Sequence, residues 1–170
     1  MSRPGTQIAA GTAGSKQVLT FTLSEETYGV DILRVQEIRG WSPVTRIPQS
    51  PAAVLGVLNL RGSIVPIVDL RMRFSLPRAQ YTPLTVIIVL SVESQQGRRD
   101  FGVVVDGVSD VIHVPVSDIK PAPELGQQAS TEFIAGLAAV AGRMVMLLDI
   151  DRLIGGEVAA ATSLPVAANA

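Results

Sequence analysis

The sequence predicts an all-β protein built as two small barrels around a shared hydrophobic core. Three observations carry that prediction. Residues 54–74 (VLGVLNLRGSIVPIVDLRMRF) and 134–154 (IAGLAAVAGRMVMLLDIDRLI) read as two copies of one segment, with Gly56/Gly136, Gly62/Gly142, Val65/Val145 and Asp69/Asp149 identical. A weaker echo joins Tyr28–Ile38 to Phe101–Val111, where Gly29/Gly102, Val30/Val103 and Val35/Val108 coincide. Composition is the third: 47% of residues are apolar and only 4% aromatic. The core is therefore mostly Val, Ile and Leu, which favours strands, and Gly and Pro divide the chain into short ones.

The elements follow in order. Residues 1–16 are rich in Gly, Ala, Ser and Thr and read as a flexible lead-in. Leu19, Phe21 and Leu23 alternate with Val18, Thr20 and Thr22, the pattern of a half-buried strand. Ser24-Glu25-Glu26 turns into a strand over Tyr28–Ile38, where a period of two places Leu33, Val35 and Glu37 on one face. Ser50-Pro51 ahead of AAVL and Gly56 has the signals of a one-turn helix. Strands at Val57–Arg61 and Ile64–Leu70 flank a turn at Gly62, with Val57, Asn59 and Arg61 sharing a face. Pro66 cannot donate to a ladder and marks an edge or irregularity. Asp69 is placed to cap the turn LRMRF, with Leu70 and Phe74 stacked one turn apart.

Ser75–Pro83 is the polar connection between the units. The domain then spans 17–155, with subdomains at about 17–75 and 84–155. The run TVIIVLSV is apolar on both faces and hence interior, and Glu93–Asp100 (ESQQGRRD) reads as a charged hairpin loop. A strand region over Phe101–Val114, a Pro-rich segment (Pro121, Pro123), a loop and the second copy of the repeat follow. The Ala-rich tail, 156–170, is a frayed helix or disordered.

Net charge is −1 with no block of like charges, which argues against a nucleic-acid surface. Cysteine is absent, so thiolate metal sites and nucleophilic thiols are excluded. No apolar run reaches the ~20 residues of a membrane-spanning helix, and no signal peptide is evident, so a soluble protein is expected. His113 is the single histidine and sits among apolar residues without companion ligands, so a wall or surface position fits it better than a metal site. No nucleophile elbow, P-loop or dinucleotide fingerprint occurs, and Asp106-Gly107 reads as a turn. Asp69 and Asp149 recur in both copies, as capping residues of a shared fold would.

The duplication supplies an internal control. Where the first copy has Asn59 and Arg61, the second has Ala139 and Ala141, so the fold can be built with alanines there. Arg61 answers Glu37, whose counterpart is Asp110. Two readings stand side by side: a solvated pair worth ~0–1 kcal/mol, or a polar recognition point beside Val35 and Val57.

NLRG (Asn59–Gly62) running into IVPIVDLR (Ile64–Arg71), preceded by YGVDILRVQEIRG (Tyr28–Gly40), resembles the CheW family of chemotaxis coupling proteins. The match continues through VVVDGVSDV (Val103–Val111), Ile119–Pro123 and GRMVMLLDIDRL (Gly142–Leu153), and covers about residues 17–155. The resemblance implies two five-stranded SH3-like barrels and a cytoplasmic adaptor without catalytic activity or cofactor. Such an adaptor couples methyl-accepting chemoreceptors to the regulatory domain of the histidine kinase CheA, at receptor arrays on the inner face of the membrane. The family's receptor-binding acid and arginine fall on Glu37 and Arg61, with Val35, Gly56 and Asn59 among the neighbours. Val86 and Val108 would line a groove between the barrels. Leu125, just after Pro121-Ala122-Pro123, stands where the family makes a ring contact with the kinase. The length leaves no room for a receiver or kinase module, which favours a free-standing coupling protein. A β-barrel nucleic-acid binder and an unrecognised hydrolase are the alternatives; the charge balance and the missing nucleophile–base pair disfavour them.

Overall fold

The computed structural model describes residues 14–154 except 75, 78, 79, 95, 96 and 123–132. Its strands are β1 (Ser15–Leu23), β2 (Glu26–Asp31), β3 (Val35–Gly40), β4 (Val54–Leu60), β5 (Ser63–Asp69), β6 (Val86–Ser94), β7 (Gly97–Val105), β8 (Gly107–Pro115), β9 (Ile134–Val140) and β10 (Arg143–Leu148). Two short helices, α1 (Leu70–Arg73) and α2 (Ile150–Ile154), follow β5 and β10. The strands form two five-stranded sheets: sheet I in the order β8-β1-β2-β10-β9, sheet II in the order β3-β6-β7-β5-β4. Replacing β1–β5 by β6–β10 and the reverse turns one order into the other, so the duplication read in the sequence is a duplication of topology.

The division between the copies differs from the expected one. Neither 17–75 nor 84–155 is a sheet of its own, because each sheet takes strands from both halves. The chain leaves sheet I after β2 and enters sheet II at β3, and it returns between β7 and β8. Tyr28–Ile38 is therefore two strands, broken by a 3₁₀ turn at Ile32–Arg34. The cause is local: the Asp31 carboxylate accepts the Leu33 N–H at 2.9 Å, a side-chain bond that competes with the ladder.

Three apolar clusters follow from alternation along the strands. The largest lies between the sheets and takes Leu19, Phe21, Leu23, Ile88, Leu90, Phe101 and Leu153 among others. Sheet II encloses Ile67, Ile87, Val89 and Val104 on its other face, and sheet I encloses Val18, Val114, Val145 and Leu147 on its own. Strand β6 alternates between the shared cluster (Ile88, Leu90) and the cluster of sheet II (Ile87, Val89). That is why TVIIVLSV is apolar on both faces. Strand β1 is likewise buried on both faces from Val18 to Phe21, where half-burial was expected.

The hairpins β4–β5 and β9–β10 match in detail. Arg61 (φ 53°) and Gly62 (φ 90°) form the first turn, Ala141 (φ 51°) and Gly142 (φ 81°) the second. Two successive positive φ values define the turn type whose twist suits a two-residue hairpin. At the start of each hairpin, a bridge draws the chain beyond one edge strand onto the other: Thr45 with Val57 in sheet II, Lys120 with Leu137 in sheet I. Both are reciprocal backbone pairs, at 2.8 and 3.0 Å in the first and 2.7 and 2.8 Å in the second. Gly56 and Gly136 make room for them; a Cβ on Gly56 would collide with the Thr45 carbonyl. Each sheet is thus drawn round toward a barrel by one bridge.

Asp69 accepts the Arg71 N–H at 2.9 Å and caps α1, while Asp149 accepts the Arg152 N–H at 3.2 Å at the start of α2, as expected. Two local expectations fail. Residues 52–53 are a turn and Val54 already belongs to β4, so there is no helix at Ser50–Gly56. Most of Glu93–Asp100 is strand, since β6 and β7 pair from Ser94↔Gly97 through Ser91↔Asp100; hairpin pairing outweighs the polar composition. Pro66 lies opposite Val57, whose own N–H and C=O bond Thr45, and the parallel pairing of β5 with β7 begins only at Ile67, so the missing donor of Pro66 falls outside both ladders.

Candidate functional site

Two outer features of sheet II converge on one carboxylate. Strand β3 is an edge strand, and β4, at the opposite edge, leads into the hairpin turn that carries Arg61. The Arg61 guanidinium donates to Glu37 Oε1 at 2.6 Å, which ties one edge to the other. Arg61 is 78% exposed and Glu37 only 21%. Asn59 stabilises the turn, its Oδ1 accepting the Gly62 N–H at 2.8 Å. Arg61 is therefore a turn residue, in place of the strand residue sharing a face with Val57 and Asn59 that the alternation suggested.

A bulge in β3 also corrects the expected face. Val35 pairs with Leu90 and Glu37 with Val89, so one residue of β3 is extra. An extra residue inverts the alternation. Val35 consequently faces the core between the sheets with Leu90, while Glu37 and Arg39 lie on the face of Val89 and Ile87. Leu33 lies in the 3₁₀ turn and is 82% exposed. Val86 and Val108 are partly buried against the shared core with Val35. The expected site thus divides in two: Glu37, Asn59 and Arg61 converge, whereas Val35, Val86 and Val108 line the rim of the shared core. Gly56 is buried on β4, where it admits the bridge from Thr45. Leu125 lies outside the described residues.

The residue that pattern reading missed is Arg39. Its guanidinium lies 3.7 Å from Glu37 Oε2, and its Nε is buried with no hydrogen-bond partner among the described residues. The signal was one position beyond the echo that ended at Ile38/Val111: Arg39 aligns with Ile112, which packs in the interior of sheet I.

Sheet I solves the equivalent corner without arginine. Asp110 sits opposite Thr20, whose hydroxyl donates to the carboxylate at 2.8 Å and accepts the Asp110 N–H at 3.2 Å. Ala141 stands in the hairpin turn. The acid there is satisfied within its own sheet.

Two stronger ion pairs belong to the crossovers. Arg34, entering β3, makes bonds of 3.0 and 2.7 Å to Asp151 of α2; Arg71 of α1 makes bonds of 2.8 and 2.6 Å to Asp106, between β7 and β8. The Asp106 carboxylate also accepts the Ser24 N–H, and the Asp151 carboxylate the Glu93 N–H. Burial alone would raise the Asp106 carboxyl, but the Arg71 hydrogen bonds, the Ser24 N–H and the Arg71 charge together hold it below the usual carboxylate range. The Arg34 hydrogen bonds lower the Asp151 carboxyl in the same way, against its burial and with help from the Glu93 N–H.

His113 is exposed on β8. Among the described residues, no group of three or more His, Cys, Asp or Glu side chains is placed to hold a metal ion. No helix among them is long and apolar enough to cross a membrane.

Comparison with known proteins agrees with this architecture. The family model of the CheW-like domain matches residues 17–158. The chemotaxis protein CheW of Klebsiella aerogenes is 48% identical over 148 residues, covering 87% of each chain. That of Rhizobium meliloti is 40% identical over 146 residues, covering 86% of this chain and 92% of the relative. The crystal structure of the scaffolding protein TtCheW from Thermoanaerobacter tengcongensis superposes with a TM-score of 0.75 at 30% identity, over 84% of this chain and 94% of that one. With the matched region spanning both sheets and every element that builds the Glu37–Arg61 corner, the chain belongs to the CheW-like domain family.

Proposed function

We propose that this protein is a chemotaxis scaffold, a non-catalytic adaptor that couples methyl-accepting chemoreceptors to the histidine kinase CheA. Family membership supports the class of function. The observation that carries the site is the Glu37–Arg61 pair, which exists in one copy of a duplicated corner and is replaced in the other by Asp110–Thr20 and Ala141. Arg61 is mostly exposed, so the pair contributes little to folding, and its place at the joined edges of sheet II suits a docking surface. Receptor contact is assigned to Glu37, Arg61 and Asn59, with Val35, Gly56, Val86 and Val108 as adjoining positions. The kinase regulatory domain is assigned a further contact at Leu125. The protein would work in the cytoplasm, at receptor arrays beneath the membrane, with no nucleic acid and no cofactor.

The test is kinase output in a mixture of receptor, CheA and this protein. Arg61→Asn removes the charge while keeping a residue suited to positive φ. Activation should fall sharply while the variant stays folded. Full activation by a folded Arg61→Asn chain would overturn the assignment.

A further inference from the structure

The Glu37 carboxylate faces two guanidinium groups, and they are unlike. Arg61 holds one oxygen at 2.6 Å from an exposed hairpin tip. Arg39 Nη1 stands 3.7 Å from the other oxygen, and the same guanidinium has a buried Nε with no acceptor among the described residues. A buried N–H is ordinarily paired, so this donor is poised for an acceptor. The fold does not require a cation there, because Ile112 fills the same place in sheet I.

Docking at this corner raises a problem of charge. If Arg61 turns to a carboxylate on the partner, Glu37 loses its close counter-ion just as the incoming surface excludes water. An uncompensated buried charge is strongly unfavourable. Arg39 removes the difficulty, since moving less than about 1 Å brings it within charge-assisted hydrogen-bond distance of Glu37. The three side chains together carry +1 (two arginines, one glutamate), which one acidic side chain from outside would neutralise.

Resting on the receptor-facing role given to Glu37 and Arg61, we propose that Arg39 is a positioning residue that takes over Glu37 when Arg61 passes to an acidic side chain of the receptor. Arg61 is then the recognition cation, and Arg39 keeps the vacated carboxylate paired with a counter-charge.

The experiment uses the full chain and a soluble cytoplasmic signalling fragment of a chemoreceptor. Affinity is measured for Arg39→Gln, Arg39→Lys and Arg61→Asn, and the Arg39 guanidinium N–H resonances (Nε and Nη) of the unsubstituted chain are followed by NMR. Arg39→Gln should bind about tenfold more weakly. Arg39→Lys, which restores the charge, should recover most of that loss. The guanidinium N–H that engages Glu37 should shift downfield and exchange more slowly with water in the complex, a change that a purely structural arginine would not show. If Arg61→Asn weakens binding while Arg39→Gln binds normally, the takeover role is wrong and the receptor site stands. Normal binding by folded Arg61→Asn would overturn the site itself. Should Arg39→Gln fail to fold, the NMR signal decides, and guanidinium N–H resonances of Arg39 (Nε and Nη) all unchanged on binding refute the proposal.

Discussion

The equivalent corners of the two sheets differ where function and fold can be told apart. In sheet II the acid of the edge strand is Glu37, held from across the sheet by Arg61 with Arg39 beside it. In sheet I it is Asp110, held by the neighbouring Thr20, with Ala141 and Ile112 in the places of the arginines. The strand order, bulge, hairpin turn and edge bridge are common to both. What the copies share therefore builds the fold, and what one copy adds is free to bind. The crossover ion pairs teach the complementary lesson. Asp151 aligns with Arg71, and Arg34 and Asp106 lie within one residue of equivalent places at the two crossovers, so the pairs match with the signs exchanged. In each, the carboxylate accepts a backbone N–H from the matching end of a hairpin: Ser24, just after β1, and Glu93, near the end of β6. Here the pair is structural and its polarity is not.

The sharpest way to break the comparison is at the shared glycines. Gly56→Ala drives a Cβ into the Thr45 carbonyl, a backbone atom that cannot move without losing the edge bridge. A loss of about 3 kcal/mol in urea-unfolding free energy is expected, near the upper end of ordinary substitutions. Gly136→Ala should cost less, because the nearest atom is a side-chain methyl of Ile119. A receptor-binding defect in Gly56→Ala would then come through lost folding. A chain of normal stability that fails to bind would instead make Gly56 a contact.

Next in size are the crossover pairs. Asp106→Arg removes the partner of Arg71, leaves the Ser24 N–H without its acceptor and sets two arginines face to face. A loss of about 1.5–3 kcal/mol follows from the hydrogen bonds to charged groups alone. Combining it with Arg71→Asp should restore much of that, because sheet I and sheet II already carry the two polarities. A double variant no more stable than the sum of the single losses would show that each pair tolerates one polarity only.

Acid titration reads the same pairs more gently. Asp106 and Asp151 have carboxyls lowered in the folded state, so they bind protons more readily when unfolded. Their contribution is present in full above the unfolded pKa of about 3.9 and is lost as pH falls through the lower folded values. Unfolding free energy should therefore decline below about pH 4, and the decline should be shallower in Asp151→Asn. An unchanged slope would mean that other carboxylates dominate acid unfolding.

Much of this was legible before the fold was known. The repeat announced equivalent hairpins, Asp69 and Asp149 announced their caps, and Ala141 opposite Arg61 singled out the arginine. The sheet membership of β3 was not legible, because a strand's partners are set by distant residues, and the Asp31 turn that releases it is a single side-chain bond. The face of Glu37 was misjudged for a related reason: one bulged residue inverts every later side chain in β3, and no local pattern declares it. Arg39 escaped because an arginine flanked by Ile38 and Gly40 reads as a solvated strand residue until its partners are seen.

The smallest effect belongs to the variable turn residues. Arg61 and Ala141 both sit in the left-handed region, near φ 53° and 51°, so neither turn depends on the side chain it carries. Asp110 is already held by Thr20 and gains little from a new cation at the hairpin tip. Ala141→Arg should thus change stability by no more than ~0.5 kcal/mol, and Arg61→Asn by about the same, as surface substitutions do. Their effects on receptor binding should part completely, with Arg61→Asn losing affinity and Ala141→Arg leaving it untouched. Because both changes are made at equivalent turns of a duplicated fold, stability cannot account for such a difference. If Ala141→Arg bound receptor more tightly, or weakened it as much as Arg61→Asn, the second corner would be a binding surface too, and the division between the copies would no longer hold.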